Sequence, residues 1–127
     1  YYLAANLIVM PDINQLSVMR NYFNSGATKL YSFRIEQLKK LKQAVLAHEQ
    51  DLYDALYTDL KKSKEEVWVT ETGMVITELN QAIQQLRQWM KAITTRTNLL
   101  NLPSSSHILK EPLGVVLIIG PWNYPFL

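Results

Sequence analysis

The sequence predicts an α/β protein whose present stretch is mainly helical, about four helices followed by two β-strands. Three observations carry this. Apolar residues recur at helical spacing through most of positions 12–92. Val115, Val116, Leu117, Ile118 and Ile119 form an unbroken apolar run, four of the five β-branched. The 127 residues are 48% apolar and 19% charged, which is globular composition and enough chain for one domain.

The first helix starts at Asp12, a capping residue with Gln15 three positions on, and runs through Leu16, Met19 and Phe23 to a stop at Gly26. In the second, Ile35, Leu38, Leu41, Val45 and Leu46 share a face opposite Glu36, Lys39, Lys40 and Gln43. The polar stretch from His48 to Asp51 breaks or bends the rod. Leu52, Leu56 and Leu60 then step by four, giving the third helix. Ser63 and Glu66 make a second capping box. From Lys64 to Lys91 a stripe runs through Trp68, Thr72, Val75 or Ile76, Leu79, Ile83, Leu86 and Met90. Gly73 interrupts it and marks a kink or a close contact.

Beyond Lys91 the character changes. Positions 93–105 are rich in threonine, asparagine and serine and read as an irregular connection. Ser106 to Lys110 reads as a short strand, broken by Pro112 and Gly114. Val115 to Ile119 is the second strand, ended by a turn between Pro121 and Pro125. A strand with no wet face belongs in a parallel sheet covered on both sides. The expected organisation is an upstream stub at 1–9, a helical arm at 12–92, the connection at 93–105, and strands and turn at 106–127. Met10 is the expected start, with Tyr1 to Val9 an upstream remnant.

Composition narrows the chemistry. Cysteine is absent, so this stretch holds no disulfide, thiolate metal site or cysteine nucleophile. Two histidines far apart argue against a metal centre, and none is expected. Thirteen basic residues against eleven acidic, well dispersed, give no reason to expect nucleic acid or a membrane surface. The apolar start, Tyr1 to Met10, is too short for a membrane helix.

The stretch Lys110-Glu-Pro-Leu-Gly-Val-Val-Leu-Ile-Ile-Gly-Pro-Trp-Asn-Tyr-Pro-Phe126 closely resembles a signature of NAD(P)-dependent aldehyde dehydrogenases. Phe33 to Leu41, Ala55 to Ser63, and Glu78 to Met90 are similar to the class 3 branch, which oxidises fatty aldehydes. The resemblance covers about Met10 to Leu127. It implies a parent fold with a Rossmann-type cofactor domain, a catalytic domain and an oligomerisation element, working as a cytoplasmic homodimer. In that family a cysteine attacks the aldehyde, hydride leaves to NAD or NADP, and a glutamate activates water against the thioester. The resemblance assigns Asn123 as the amide donor to the oxyanion, a neutral group aimed at developing charge. It sets the backbone around Ile119, Pro121 and Trp122 against the nicotinamide and puts Tyr124 at the aldehyde entrance. The nucleophile, the glycine-rich phosphate motif and the base glutamate are not in this stretch, so the chain alone is expected to be inactive.

Plainer readings apply elsewhere. Without the family match Asn123 is a turn residue, and Tyr124 is equally well a packing residue. Trp68, Trp89 and the methionines read as core. Glu65, Glu66, Glu71 and Glu78 read as a solvated face. Lys61, Lys62 and Lys64 read as cations favoured by a helix end, and His48 and His107 as exposed polar residues. The main rival function is a stand-alone helical interaction module; another is an adaptor that co-assembles with full-length relatives. Solubility separates the first two. The enzyme-segment reading predicts an insoluble or molten isolated chain, because Val115 to Ile119 lacks partners. A soluble monomer with a cooperative melt marks the module.

Overall fold

The computed structural model describes residues 13–127. The start signal at Asp12 and the stub at 1–9 lie outside them. Helix α1 spans Ile13–Asn24. Gly26, at φ 79°, then reverses the chain into a short 3-10 turn at Ala27–Lys29. Glycine suits this left-handed position because it has no side chain to clash. Helix α2 covers Tyr31–Ala47 and α3 covers Glu49–Leu60. His48 is the break between them, as its polar neighbourhood implies.

Lys61 ends α3 in the left-handed conformation at φ 59°, donating its N–H to the Tyr57 carbonyl. Ser63 then caps the next rod, its hydroxyl accepting the Glu66 N–H at 3.2 Å. That rod is continuous: α4 at Lys64–Val67, a π-helical turn at Trp68–Thr72, and α5 at Gly73–Trp89. The π turn explains Gly73. A side chain there would drive into the Trp68 carbonyl and meet the Trp68 ring at 3.2 Å.

The π turn also shifts the phase of the buried face. An extra residue in one turn moves the inner stripe onto Val67, Glu71 and Thr72, all fully buried, before it resumes at Ile76 and Leu79. Trp68 is thereby turned outward and is 46% exposed, against the expectation of a core residue. Trp89, Met19 and Met74 are also exposed. The reason is that no element among the described residues covers those faces. The core consists of Val45, Leu56, Val67, Ile76, Leu79 and Leu86.

Helix α2 lies mainly on α5, while α3 meets α4 through the tight link at Lys61–Ser63. Polar contacts brace the first pair: Lys42 Nζ donates to Asn80 Oδ1 at 2.6 Å, and the Arg87 guanidinium stands 5.0 Å from the Tyr31 ring centre. No helix among the described residues is long and apolar enough to cross a membrane.

Two strands follow the helices. Strand β1 is Ile93–Thr95 and β2 is Ser106–Ile108, antiparallel with Thr94 opposite His107. The first lies inside the stretch read as irregular. Its Ile-Thr-Thr sequence carries a short β-branched signal that was outweighed by the polar residues around it. His107 is exposed, as expected, though not without partners: its ring nitrogens meet Thr94 Oγ1 at 3.4 Å and Ser105 Oγ at 3.1 Å.

The expected second strand, Val115 to Ile119, is not a strand among the described residues. It has no neighbour to accept its ladder bonds, and strand geometry without a partner has little to hold it. Leu117, Ile118 and Ile119 are all more than 80% exposed. One anchor precedes them. Gly114, at φ 100°, lies beside Phe23 of α1, where a side chain would be in ordinary contact with the ring at 3.5 Å.

Two tests follow from this architecture. Gly73→Ala is expected to destabilise the fold by about 1–3 kcal/mol through overpacking, read as a lower urea midpoint. Glu65 lies in the first turn of α4, where a backbone hydrogen bond and then the Ser63 side chain hold its carboxyl below the ordinary 4.5. A depressed carboxylate stabilises the fold above its unfolded value, and that contribution disappears as pH falls through the folded value. Carboxyl NMR titration should put the Glu65 midpoint below 4.5.

Candidate active-site turn

The turn from Pro121 to Phe126 is held from beneath by two side chains of the helical rods. Tyr124 N–H donates to the Pro121 carbonyl at 3.2 Å, closing the turn around Trp122 and Asn123. Lys62, just past the left-handed end of α3, points inward and is 8% exposed. Its ammonium donates to Glu71 Oε1 at 2.6 Å and to the main-chain carbonyl of Asn123 at 2.7 Å. The ring of Tyr124 covers the same ammonium, with its centre 4.0 Å away. Glu71 completes the clamp: its Oε2 accepts the N–H of Phe126 at 2.9 Å.

This corrects two sequence readings. Glu71 is not on a solvated face; it is fully buried in the π turn. Lys62 is not a cation placed for the helix dipole; it is buried against Glu71. The physical reason is mutual. A buried carboxylate and a buried ammonium are each expensive alone and tolerable as a hydrogen-bonded pair. Here each of the two also makes one hydrogen bond to the turn. Glu65, Glu66 and Glu78 are exposed, as expected of a solvated face.

The sequence-derived site residues fall on this turn and just ahead of it. Asn123 is exposed, and the clamp engages its carbonyl rather than its side-chain amide. Trp122 is 93% exposed and Ile119 83%, with Pro121 exposed between them. Tyr124 is half-buried on Lys62, which gives it a packing role on one ring face. Lys62 and Glu71 were missed. The one available signal was that Glu71 lies four residues beyond Val67, on a face that proves apolar. Among the described residues no group of three or more histidines, aspartates or glutamates is placed to hold a metal ion.

Asn123 thus stands exposed on a turn tethered to the helices, with an apolar segment running ahead of it. The chain belongs to the aldehyde dehydrogenase family, whose model matches residues 17–127. It is similar to the 4,4'-diaponeurosporen-aldehyde dehydrogenase of Staphylococcus aureus, 48% identical over 105 residues, which are 83% of this chain and 23% of that protein. An aldehyde dehydrogenase of Craterostigma plantagineum is 45% identical over 109 residues, 86% of this chain and 23% of its own length. The mouse aldehyde dehydrogenase family 3 member B3 is 42% identical over 115 residues, 91% and 24% of the two chains. The fold matches a solved structure of Staphylococcus aureus AldH in a substrate-bound state, with TM-score 0.86 and 44% identity over 89% of this chain and 25% of that one. The chain therefore spans about a quarter of the length of the relatives it matches.

The clamp makes a thermodynamic prediction. Lys62→Met alone strands a buried carboxylate and should cost about 3–5 kcal/mol. Lys62→Met with Glu71→Leu replaces both charges by apolar groups of similar size and should recover most of that loss. Parallel urea denaturation of the single and double variants reads the difference.

Proposed function

We propose that these residues form the N-terminal quarter of an NAD(P)-dependent aldehyde dehydrogenase that oxidises aliphatic aldehydes to carboxylic acids, with Asn123 as its oxyanion donor. The observation that carries the reading is the tethered turn. It fixes the main chain of Asn123 at 2.7 Å from Lys62 while the side chain sits at the exposed surface. A fixed neutral amide costs no reorganisation when charge develops on the aldehyde oxygen. A permanent cation in its place would oppose the loss of hydride from the same carbon.

The nucleophilic cysteine of this reaction comes from outside these 127 residues, since the chain has no cysteine, and the family resemblance puts the base glutamate outside them as well. The stretch from Ile119 to Trp122 is an open apolar ledge; beyond Gly120 and its two chain neighbours, no atom lies within 4 Å of where a side chain would stand. A flat nicotinamide ring suits such a ledge. The ledge carries no charged side chain, so the phosphates are held elsewhere. NAD(P)+ supplies the hydride acceptor when bound. The role of this chain's residues is to seat the ring at Ile119, Pro121 and Trp122 and to polarise the aldehyde at Asn123. Tyr124 borders the aldehyde entrance with the ring face that Lys62 leaves free.

In the same reading the enzyme is a cytoplasmic homodimer, as the class 3 resemblance suggests. A stand-alone helical module would close its apolar faces within the chain. Leu41, Met74 and Leu117 instead stay exposed, which speaks for a segment built to be covered.

In the whole enzyme, Asn123→Ala should lower kcat by about a hundredfold to a thousandfold, the usual cost of one oxyanion donor, with little change in KM. The 127-residue chain alone, given NAD+ and hexanal, should form no NADH. Unchanged kcat in the variant, or NADH from the chain alone, would refute the reading.

A further inference from the structure

Lys62 and Glu71 share their hydrogen bonds with two main-chain groups, one on Asn123 and one just after it. Lys62 takes the carbonyl of Asn123 itself, and Glu71 takes the N–H of Phe126, three residues on. The pair is buried, bonded internally at 2.6 Å, and anchored in two separate segments, the link just past α3 and the π turn. An asparagine side chain has two free torsions beyond its Cα, so the position of its amide depends first on where the main chain sits. Nothing in this arrangement uses the amide. It is the geometry of a mount rather than of a reacting group.

We infer that Lys62 and Glu71 are positioning residues for Asn123: the buried ion pair holds the turn so that the amide reaches the developing oxyanion. This rests on the oxyanion role proposed for Asn123. Neither residue touches the aldehyde, and both act through the turn. The π turn is part of the device, because it brings Glu71 to the inner face in phase with Lys62. The Tyr124 ring, 4.0 Å from the ammonium, adds a third hold and shields the pair from water.

The test is a kinetic cycle in the full-length enzyme with hexanal and NAD+. Glu71→Gln keeps the shape and an acceptor for Phe126 but removes the charge that orients Lys62. The double variant K62M/E71L keeps the packing and removes every bond to the turn, so it separates tethering from folding. Misplacement by a fraction of an ångström to one ångström should lower kcat about tenfold to a hundredfold, with the larger loss in the double variant. KM for hexanal should change less than about threefold, because ground-state binding does not depend on the amide. Lys62→Arg, which keeps a cationic donor, should recover part of the loss that Lys62→Met causes.

The decisive comparison uses Asn123→Ala as background. With the amide gone, adding K62M/E71L should cost less than about twofold more, since the pair has nothing left to position. Full multiplication of the two losses would show a general structural role and overturn the inference. A fall in kcat for Asn123→Ala with none for Glu71→Gln and the double variant would overturn it while leaving the oxyanion reading intact. No fall for Asn123→Ala would remove the oxyanion reading and the inference together.

Discussion

One buried ion pair organises this chain. Lys62 in the link after α3 and Glu71 in the π turn lie nine positions apart, and neither would be stable in the interior without the other. Their union fixes the link between α3 and α4 and recruits the distant turn around Asn123. Remove it in thought and the last six residues lose their main attachments to the helices. The helical arm would remain, but without a defined relation to the turn around Asn123.

The pair in turn depends on how the backbone prepares it. Lys61 reverses the chain in a left-handed conformation that most residues avoid, and Lys62 follows on the inner side. The π turn then inserts one residue into the stripe, so that Glu71 rather than Trp68 faces inward. Gly73 makes this possible by allowing the turn to fold onto the Trp68 ring. Two local departures from regular geometry thus serve one contact. A π turn in an otherwise continuous helix is a common mark of a functional position.

Much of the fold was legible in the sequence. Helix limits were readable at Gly26, His48 and Ser63, because caps and breakers act on their immediate neighbours. The Asn123 turn was readable from its prolines and from the family motif. What could not be read was tertiary. Glu71 looks like any solvent-facing glutamate until the π turn rotates it inward. Lys62 looks like one of three clustered lysines until the chain reversal buries it. Trp68 and Trp89 looked like core because composition says what prefers burial, not whether a covering element is at hand. Val115 to Ile119 was read as a strand from its composition, yet a strand is a relation between segments and not a property of one.

Trp122 gives the site an optical label of its own. Its indole is almost fully exposed and is joined by one peptide bond to Asn123, whereas Trp68 and Trp89 are each more than half covered. Exposure at Trp122 is about twice that at the other two, so a water-borne quencher such as iodide should reach it more readily. The emission that disappears first is then that of the turn. Anything that covers the turn could then be followed by light, without attaching a dye to it.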